Sequence, residues 1–485
     1  MEIAAFSASE GNMSKPFVHF FETPKGKYFY DVNSNAIVRV TSKLYECLNN
    51  RRAGYPSDNS DILKELETLT GAGMLSTDRW EEIEHPATQL LKEHLDGSLE
   101  MLTLQVTQQC NLRCKYCPYS GSYYNRKHNS ACMDIEIAKK AIDFYIRHSY
   151  DKYELHIGFY GGEPLIQYEM IEEVVDYARK RGEGKKVNFH ITTNATLLDL
   201  EKITFLVKNK FKITISLDGP RELHDKNRTK TDGKGSFDKV IENIQLIQKH
   251  FPEYIKEIMF NCVVDGKADY GCLNDFFTNY EIIKDIHTTF NDIAEEGIKD
   301  TELLLSSENY DNAYQYEVFK LLLNKCNLIS DKEISTIVKS YYDFIRMMLK
   351  GRSVGYAYHS IGHPGGPCIP GVHKLFVNIN GDFYPCEKLN ENIKDIVIGN
   401  VENGFDYERV EDILNVGKST KEECKSCWCS RYCYQCIMFS ESEDSLSAEK
   451  RISHCRSVKK ATENMFKDYC LIKEVEADDN NIYFL

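Results

Sequence analysis

Positive charge is scarce in this 485-residue chain: 60 Lys and Arg stand against 74 Asp and Glu, a formal charge of −14. A nucleic-acid partner is therefore disfavoured, because phosphate binding needs a basic face. Long apolar runs are missing as well. None approaches the ~18 residues that a transmembrane helix requires, and the opening MEIAAFSASEGNMSK lacks the basic, apolar and small-residue order of a secretory signal. The expectation is a cytoplasmic protein with no membrane partner. Fixed-period repeats and low-complexity tracts are also absent, so the chain reads as successive modules. A composition of 42% apolar and 28% charged residues, at this length, suits a globular protein of several domains.

Cysteine is what the sequence has in excess. Of 17 cysteines, three fall at Cys110, Cys114 and Cys117, and eight crowd between Cys368 and Cys455. Clustered thiols in a large chain without an export signal argue for metal thiolates rather than disulfides. The isolated Cys47, Cys132, Cys262, Cys272, Cys326 and Cys470 read as small buried hydrophobes.

Residues 15–84 hold three short strand patterns, FVHFFE, KYFYDV and AIVRV, separated by turn signals at Pro24 to Gly26 and Asn33 to Asn35. Helical patterns follow, one capped by Ser42 and one carrying Ile62, Leu66 and Leu69 up to Gly71. This is a winged-helix-like unit, and residues 77–97 read as a connector. Over 101–310 strand and helix alternate, as in a parallel sheet with crossover helices. The strands are MLTLQVT, LHIGFY, VNFHITT, KITISLD and IMFNCVV, each ending in a polar or Gly- or Cys-containing loop. Barrel and open α/β folds place their chemistry at such ends. Residues 311–365 read as a helical bridge and 366–460 as a cysteine-dense module.

Three thiols in the loop QQCNLRCKYCPYSG suit three irons of a cubane 4Fe-4S cluster, the fourth iron being left open. The same loop with His128 or Cys132 would suit tetrahedral zinc. Later in the chain, the pairs Cys424/Cys427 and Cys433/Cys436 read locally as a zinc ribbon. At the ends of the later strands stand Gly161, Gly162 and Glu163, then Asn194, then Ser216, Asp218 and Arg228. Paired glycines let main chain approach a ligand closely.

In that order these motifs resemble the radical S-adenosylmethionine (SAM) enzymes. The resemblance implies a partial (β/α)6 TIM barrel. In it Cys110, Cys114 and Cys117 hold the SAM-binding 4Fe-4S cluster with Tyr116 before the last thiol. Gly161, Gly162 and Glu163 grip the methionine end of SAM, and Asn194, Ser216, Asp218 and Arg228 line the ribose, the carboxylate and the substrate pocket. A 5'-deoxyadenosyl radical is then expected to remove hydrogen from an unreactive C–H bond, the cofactor carrying the hard step.

From Cys368 onward the spacing resembles the SPASM extension of such enzymes, which carries two auxiliary 4Fe-4S clusters. Cys368, Cys386 and Cys436 are then expected on the first and Cys424, Cys427, Cys433 and Cys455 on the second. Cys429 is an extra thiol that would fill an open position on the first, or leave it open. The N-terminal unit resembles the leader-recognition domain of peptide maturases, which binds an extended peptide at a strand edge; the lesser alternative from its shape is a winged-helix DNA binder. Together these likenesses imply a maturase of ribosomally made precursor peptides, reduced by flavodoxin or ferredoxin. PYSGSYYNRKH after Cys117 is most similar to the thioether-forming ranthipeptide class, with Arg126 and His128 facing the site. Relatives that form carbon–carbon crosslinks or oxidise a Cys or Ser side chain share this framework, and a zinc-containing regulator is the non-enzymatic alternative.

Overall fold

The computed structural model describes residues 15–49, 60–120, 122–124, 129–350, 359–365 and 368–476. At the N-terminus β1 (Val18–Glu22), β2 (Lys27–Asp31) and β3 (Ala36–Val40) form an antiparallel sheet with β2 central, followed by α1 (Ser42–Asn49) and α2 (Ser60–Gly71). Phe29, Ala36 and Val38 pack under the two helices with Leu44, Ile62 and Leu69. The opposite face carries Phe21, Tyr28, Tyr30 and Ile37, and it is covered by distant parts of the chain. Packing on both faces explains why successive residues such as Phe20 and Phe21 or Tyr28 and Phe29 are apolar on both sides of the sheet.

Next comes a run of six parallel strands: β4 (Met101–Thr107), β5 (Glu154–Gly161), β6 (Lys186–Thr193), β7 (Lys212–Ser216), β8 (Ile258–Val264) and β9 (His287–Asp292). They lie side by side in sequence order. Helices cross between them: α3 (Ile135–Arg147), α4 (Tyr168–Arg181), α5 (Leu200–Lys208), α6 (Arg221–Asn227), α7 (Phe237–His250) and α8 (Tyr270–Asn279). Leu102, Leu104 and Val106 of β4 enter the main core with Leu155, Ile157, Phe159, Phe189 and Ile191, so Thr103, Gln105 and Thr107 face the other side. The expected five strands are all present. The sixth, HTTFND, has too polar an alternation to stand out, and its pairing with β8 is what makes it a strand.

Past β9, α9 (Glu308–Lys325) and α10 (Lys339–Lys350) form the expected helical stretch. The chain then rejoins the same sheet. β10 (Leu375–Val377) pairs parallel with β4, and β11 (Asp382–Tyr384), β12 (Gly399–Asn400) and β13 (Gly404–Phe405) continue antiparallel, making ten strands in all. α11 (Tyr407–Leu414) follows, and α12 (Cys455–Glu476) runs past the expected boundary at 460. No helix among the described residues is long and apolar enough to cross a membrane.

Candidate active site

The first cysteine loop leaves β4 and is fixed from three directions. Leu112–Cys114 pairs antiparallel with Arg228–Lys230, placing Cys114 opposite Arg228. From a second side Gly162 N–H donates to Thr107 O and Glu163 N–H to Gln109 O, both at 2.9 Å. The glycines make that approach possible: a Cβ on Gly161 would lie 2.1 Å from Thr107 O, and one on Gly162 2.2 Å from Gln109 O. Gly161 also holds φ +134°, a conformation few other residues tolerate. The pair thus seats the β5 end on the cysteine loop, a packing role beside the expected contact with SAM.

Glu163 ties the next strand end to the same place. Its fully buried carboxylate accepts from Thr193 Oγ1 at 2.7 Å, Asn194 N–H at 2.7 Å and Leu165 N–H at 3.0 Å. Burial pushes this carboxyl up and those three donors pull it down. Asn194 in turn donates to Asn111 Oδ1 at 2.9 Å and to Cys110 Sγ at 3.9 Å.

On the third side Asp218 accepts from the Tyr116 hydroxyl, from Arg228 Nε at 3.0 Å and from Val263 N–H at 3.3 Å. All three side chains are buried. Burial opposes the charge on Arg228, but Asp218, Tyr116 and Cys114 keep it firmly protonated. Expected as SAM-lining groups, Tyr116, Asp218 and Arg228 are here occupied with one another, locking the β7 end to the cysteine loop. Ser216 is buried at the end of β7. Behind them, His224 Nδ1 accepts from Asp218 N–H at 3.4 Å and its Nε2 lies 3.0 Å from Ser236 Oγ.

Cys110, Cys114 and Cys117 lie within one another's electrostatic reach. Burial pushes the Cys110 thiol up to about 11 and the Cys114 thiol up to about 12, while Arg228 pulls both back. Thiols in this state ionise when a cation coordinates them, so the donor set fits an iron–sulfur cluster. Arg126 and His128 fall outside the described residues.

Later thiols divide into two further groups. Cys386, at the end of β11, is within reach of Cys368 and Cys436; burial raises all three, Cys386 to about 12. Cys424, Cys427, Cys433 and Cys455 form the other group. Thr420 Oγ1 lies 3.3 Å from Cys424 Sγ, and Gln435 Nε2 donates to Cys455 Sγ at 3.8 Å. Among the described residues no three His, Cys, Asp or Glu converge on a point able to hold a single metal ion.

Cys429 departs from expectation. Its neighbours are Cys427 and Cys433, not the Cys368 group, and its Sγ donates to Thr462 Oγ1 at 3.1 Å. It is buried among Phe17, Tyr30, Val458 and Phe466, a small core residue in the sense the isolated cysteines were read. The geometry therefore does not bring Cys429 to the first auxiliary group.

Two residues at this site carried no signal read from the sequence. Arg451, 2% exposed, donates through Nη1 to Gln435 O at 3.1 Å and Cys436 O at 3.2 Å. Gln435 is 1% exposed beside it. The usable clue was the spacing of Arg451 one helical turn before Cys455.

The N-terminal sheet docks directly on this module. His19 of β1 stacks on Trp428, ring centroids 3.6 Å apart, and its Nε2 lies 2.9 Å from Glu463. Tyr28 donates to Glu474 at 2.8 Å, and Arg431 donates to Val32 O at 3.0 Å and Asn33 O at 3.2 Å.

Comparison with known proteins agrees with this arrangement. The radical SAM superfamily pattern matches residues 104–265. A cysteine-type anaerobic sulfatase-maturating enzyme of Clostridium perfringens is 25% identical over 390 residues, 76% of this chain and 96% of that protein. An uncharacterized protein of Methanocaldococcus jannaschii is 30% identical over 297 residues, 61% of this chain and 87% of that one. The radical SAM cyclopropyl synthase TigE of Paramaledivibacter caminithermalis is 28% identical over 46% of this chain and 49% of its own length. The chain thus spans about half the length of several curated relatives that it matches. Among solved structures, native anSMEcpe with bound AdoMet superposes with a TM-score of 0.56 at 24% identity, over 78% of this chain and all of that one. Residues 104–265 thus form a radical SAM domain. Beyond that domain the chain is similar to anaerobic sulfatase-maturating enzymes and to a radical SAM cyclopropyl synthase.

Proposed function

We propose that this protein is a radical SAM/SPASM maturase that installs thioether crosslinks from Cys sulfur to carbon in a ribosomally made precursor peptide. The observation that supports the reading is that ten of the clustered cysteines fall into three groups of mutual neighbours, with Cys429 apart. Cys110, Cys114 and Cys117 would hold the SAM-binding cluster. Cys368, Cys386 and Cys436 would hold one auxiliary 4Fe-4S cluster, and Cys424, Cys427, Cys433 and Cys455 the other. When loaded, the first cluster supplies the electron that opens SAM at its sulfonium. The chain's own part is to keep that loop rigid and dry through Glu163, Asp218 and Arg228, all buried. The auxiliary groups suit a net oxidation, in which an electron must leave the substrate after the new bond forms.

Residues 15–84 act as the winged-helix-like leader-recognition domain, and 311–365 bridges the barrel to the SPASM module at 366–460. Flavodoxin or ferredoxin in the cytoplasm would supply electrons. A second reading draws on the sulfatase-maturating relative, whose length is matched almost completely: oxidation of a Cys or Ser side chain to an aldehyde.

Product mass, thiol count and carbonyl capture together distinguish the two. Incubation with SAM, a strong reductant and a cysteine-containing precursor is expected to yield 5'-deoxyadenosine and a peptide lighter by two hydrogens per crosslink, with that many cysteines no longer alkylatable. A product that keeps every alkylatable cysteine rules out the thioether; capture by a hydrazide selects the aldehyde, which costs one thiol with loss of its sulfur when Cys is oxidised and none when Ser is.

A further inference from the structure

Only a few charges are buried among the described residues, and one of them stands between two thiol groups. Arg451 is among the largest fully buried side chains. Its Nη1 reaches both carbonyls of a two-residue stretch, Gln435 O and Cys436 O. That stretch joins the groups: the Cys436 thiol belongs with Cys368 and Cys386, while the Gln435 amide reaches Cys455 Sγ at 3.8 Å. From the backbone side, Arg451 O lies 4.0 Å from Cys455 Sγ. Among the described residues no carboxylate bonds the Arg451 guanidinium. Its field is felt instead at Cys424 and Cys433 on one side and Cys436 on the other.

An arginine buried without a carboxylate is costly unless other negative charge offsets it. Cluster thiolates are such charge, and they are what surrounds it. We propose that Arg451 is a positioning residue shared by the two auxiliary sites: it holds the Gln435–Cys436 segment between them and raises the reduction potential of both clusters together. The sign follows from electrostatics, since a fixed cation favours the more negative, reduced form of any cluster near it. One side chain thereby links the tuning of two centres, which suits an oxidation that passes an electron from one to the other. This inference rests on the proposal that both groups hold clusters.

The test uses the full chain, reconstituted anaerobically, with iron and sulfide counted and each auxiliary signal titrated by electron paramagnetic resonance. Cys110→Ala/Cys114→Ala/Cys117→Ala, which removes the first site, checks the underlying reading. About eight irons should remain in it, and fewer than two would defeat the reading itself. Arg451→Gln keeps N–H donors for the carbonyls but not the charge, and Arg451→Lys keeps the charge. In the Gln variant both reduction equilibria should move at least tenfold toward the oxidised form, ~59 mV each for one electron. The Lys variant should return both toward the native values. If the Gln protein takes up no auxiliary iron while the Lys protein does, the charge is needed for assembly and the proposal stands. Gln potentials unchanged at either cluster would overturn it, as would a Lys variant that shifts as far as Gln or one that, like Gln, stays empty.

Discussion

Gly162→Ala is the smallest change that should disable the first site. The new Cβ would stand 2.2 Å from Gln109 O, 2.6 Å from Gln109 C and 3.1 Å from Cys110 N, all main-chain atoms. Comfortable contact needs about 3.5 Å, so the two segments must part by roughly 1 Å, and no rotamer can absorb that. Such an opening would stretch Gly162 N–H to Thr107 O and Glu163 N–H to Gln109 O from 2.9 Å toward 3.9 Å, beyond hydrogen-bond range. Two lost bonds cost about 2 kcal/mol, and overpacking adds about 1–3 kcal/mol. The displaced segment carries Cys110, so the expected result is about four irons fewer per chain with a clearly lower urea midpoint. Gly184→Ala is the control. It replaces a glycine at positive φ, +87°, whose Cβ would meet nothing within 4 Å. That variant should lose about 1 kcal/mol from strain and keep its iron. A Gly162→Ala protein matching Gly184→Ala in iron and in midpoint would refute the packing role.

Two further outcomes follow from the same geometry. His224 is fully buried, accepts at Nδ1 from Asp218 N–H, and is pushed down to about 3 by burial and then by Arg228. Its unfolded form takes up a proton near pH 6.5 and its folded form does not until about pH 3. Its contribution is therefore complete above pH 6.5 and is lost as pH falls toward 3. His224→Gln, which can keep both bonds, should flatten the acid limb of a stability-against-pH curve by a few kcal/mol; an unchanged limb would contradict the assignment. His19→Ala removes the Trp428 stack and the Glu463 contact, so amides of β1 to β3 should exchange faster, by about 1–2 kcal/mol of local stability. Equal exchange in β1 to β3 would mean that this stack does not hold the sheet down, and faster exchange in β4 to β8 would mean that the effect is global.

Local pattern carried much of the site. Three thiols within one turn-rich loop, a Gly-Gly-Glu after the second strand and an Asn or Asp after the next two are short-range features, each fixed by the residues beside it. The strands that alternate with amphipathic helices are read in the same way, because period 2 and period 3.6 are properties of a single segment. HTTFND escaped because its burial comes from a neighbour in the sheet rather than from its own residues. The role of Gly161 and Gly162 was half visible: the need for close approach could be read, but the cysteine loop as the thing approached could not.

By itself, then, the sequence determined which residues form each thiol loop and which polar residues stand at each strand end, since both depend on neighbours in the chain. Tertiary structure alone decided which distant parts meet. It brought Cys368 and Cys386 within reach of Cys436 and left Cys429 in an apolar core. It also buried Arg451 between two thiol groups and laid the N-terminal sheet on Trp428 and α12. These are long-range contacts chosen by burial and charge compensation over the whole chain, and no spacing rule within a segment encodes them.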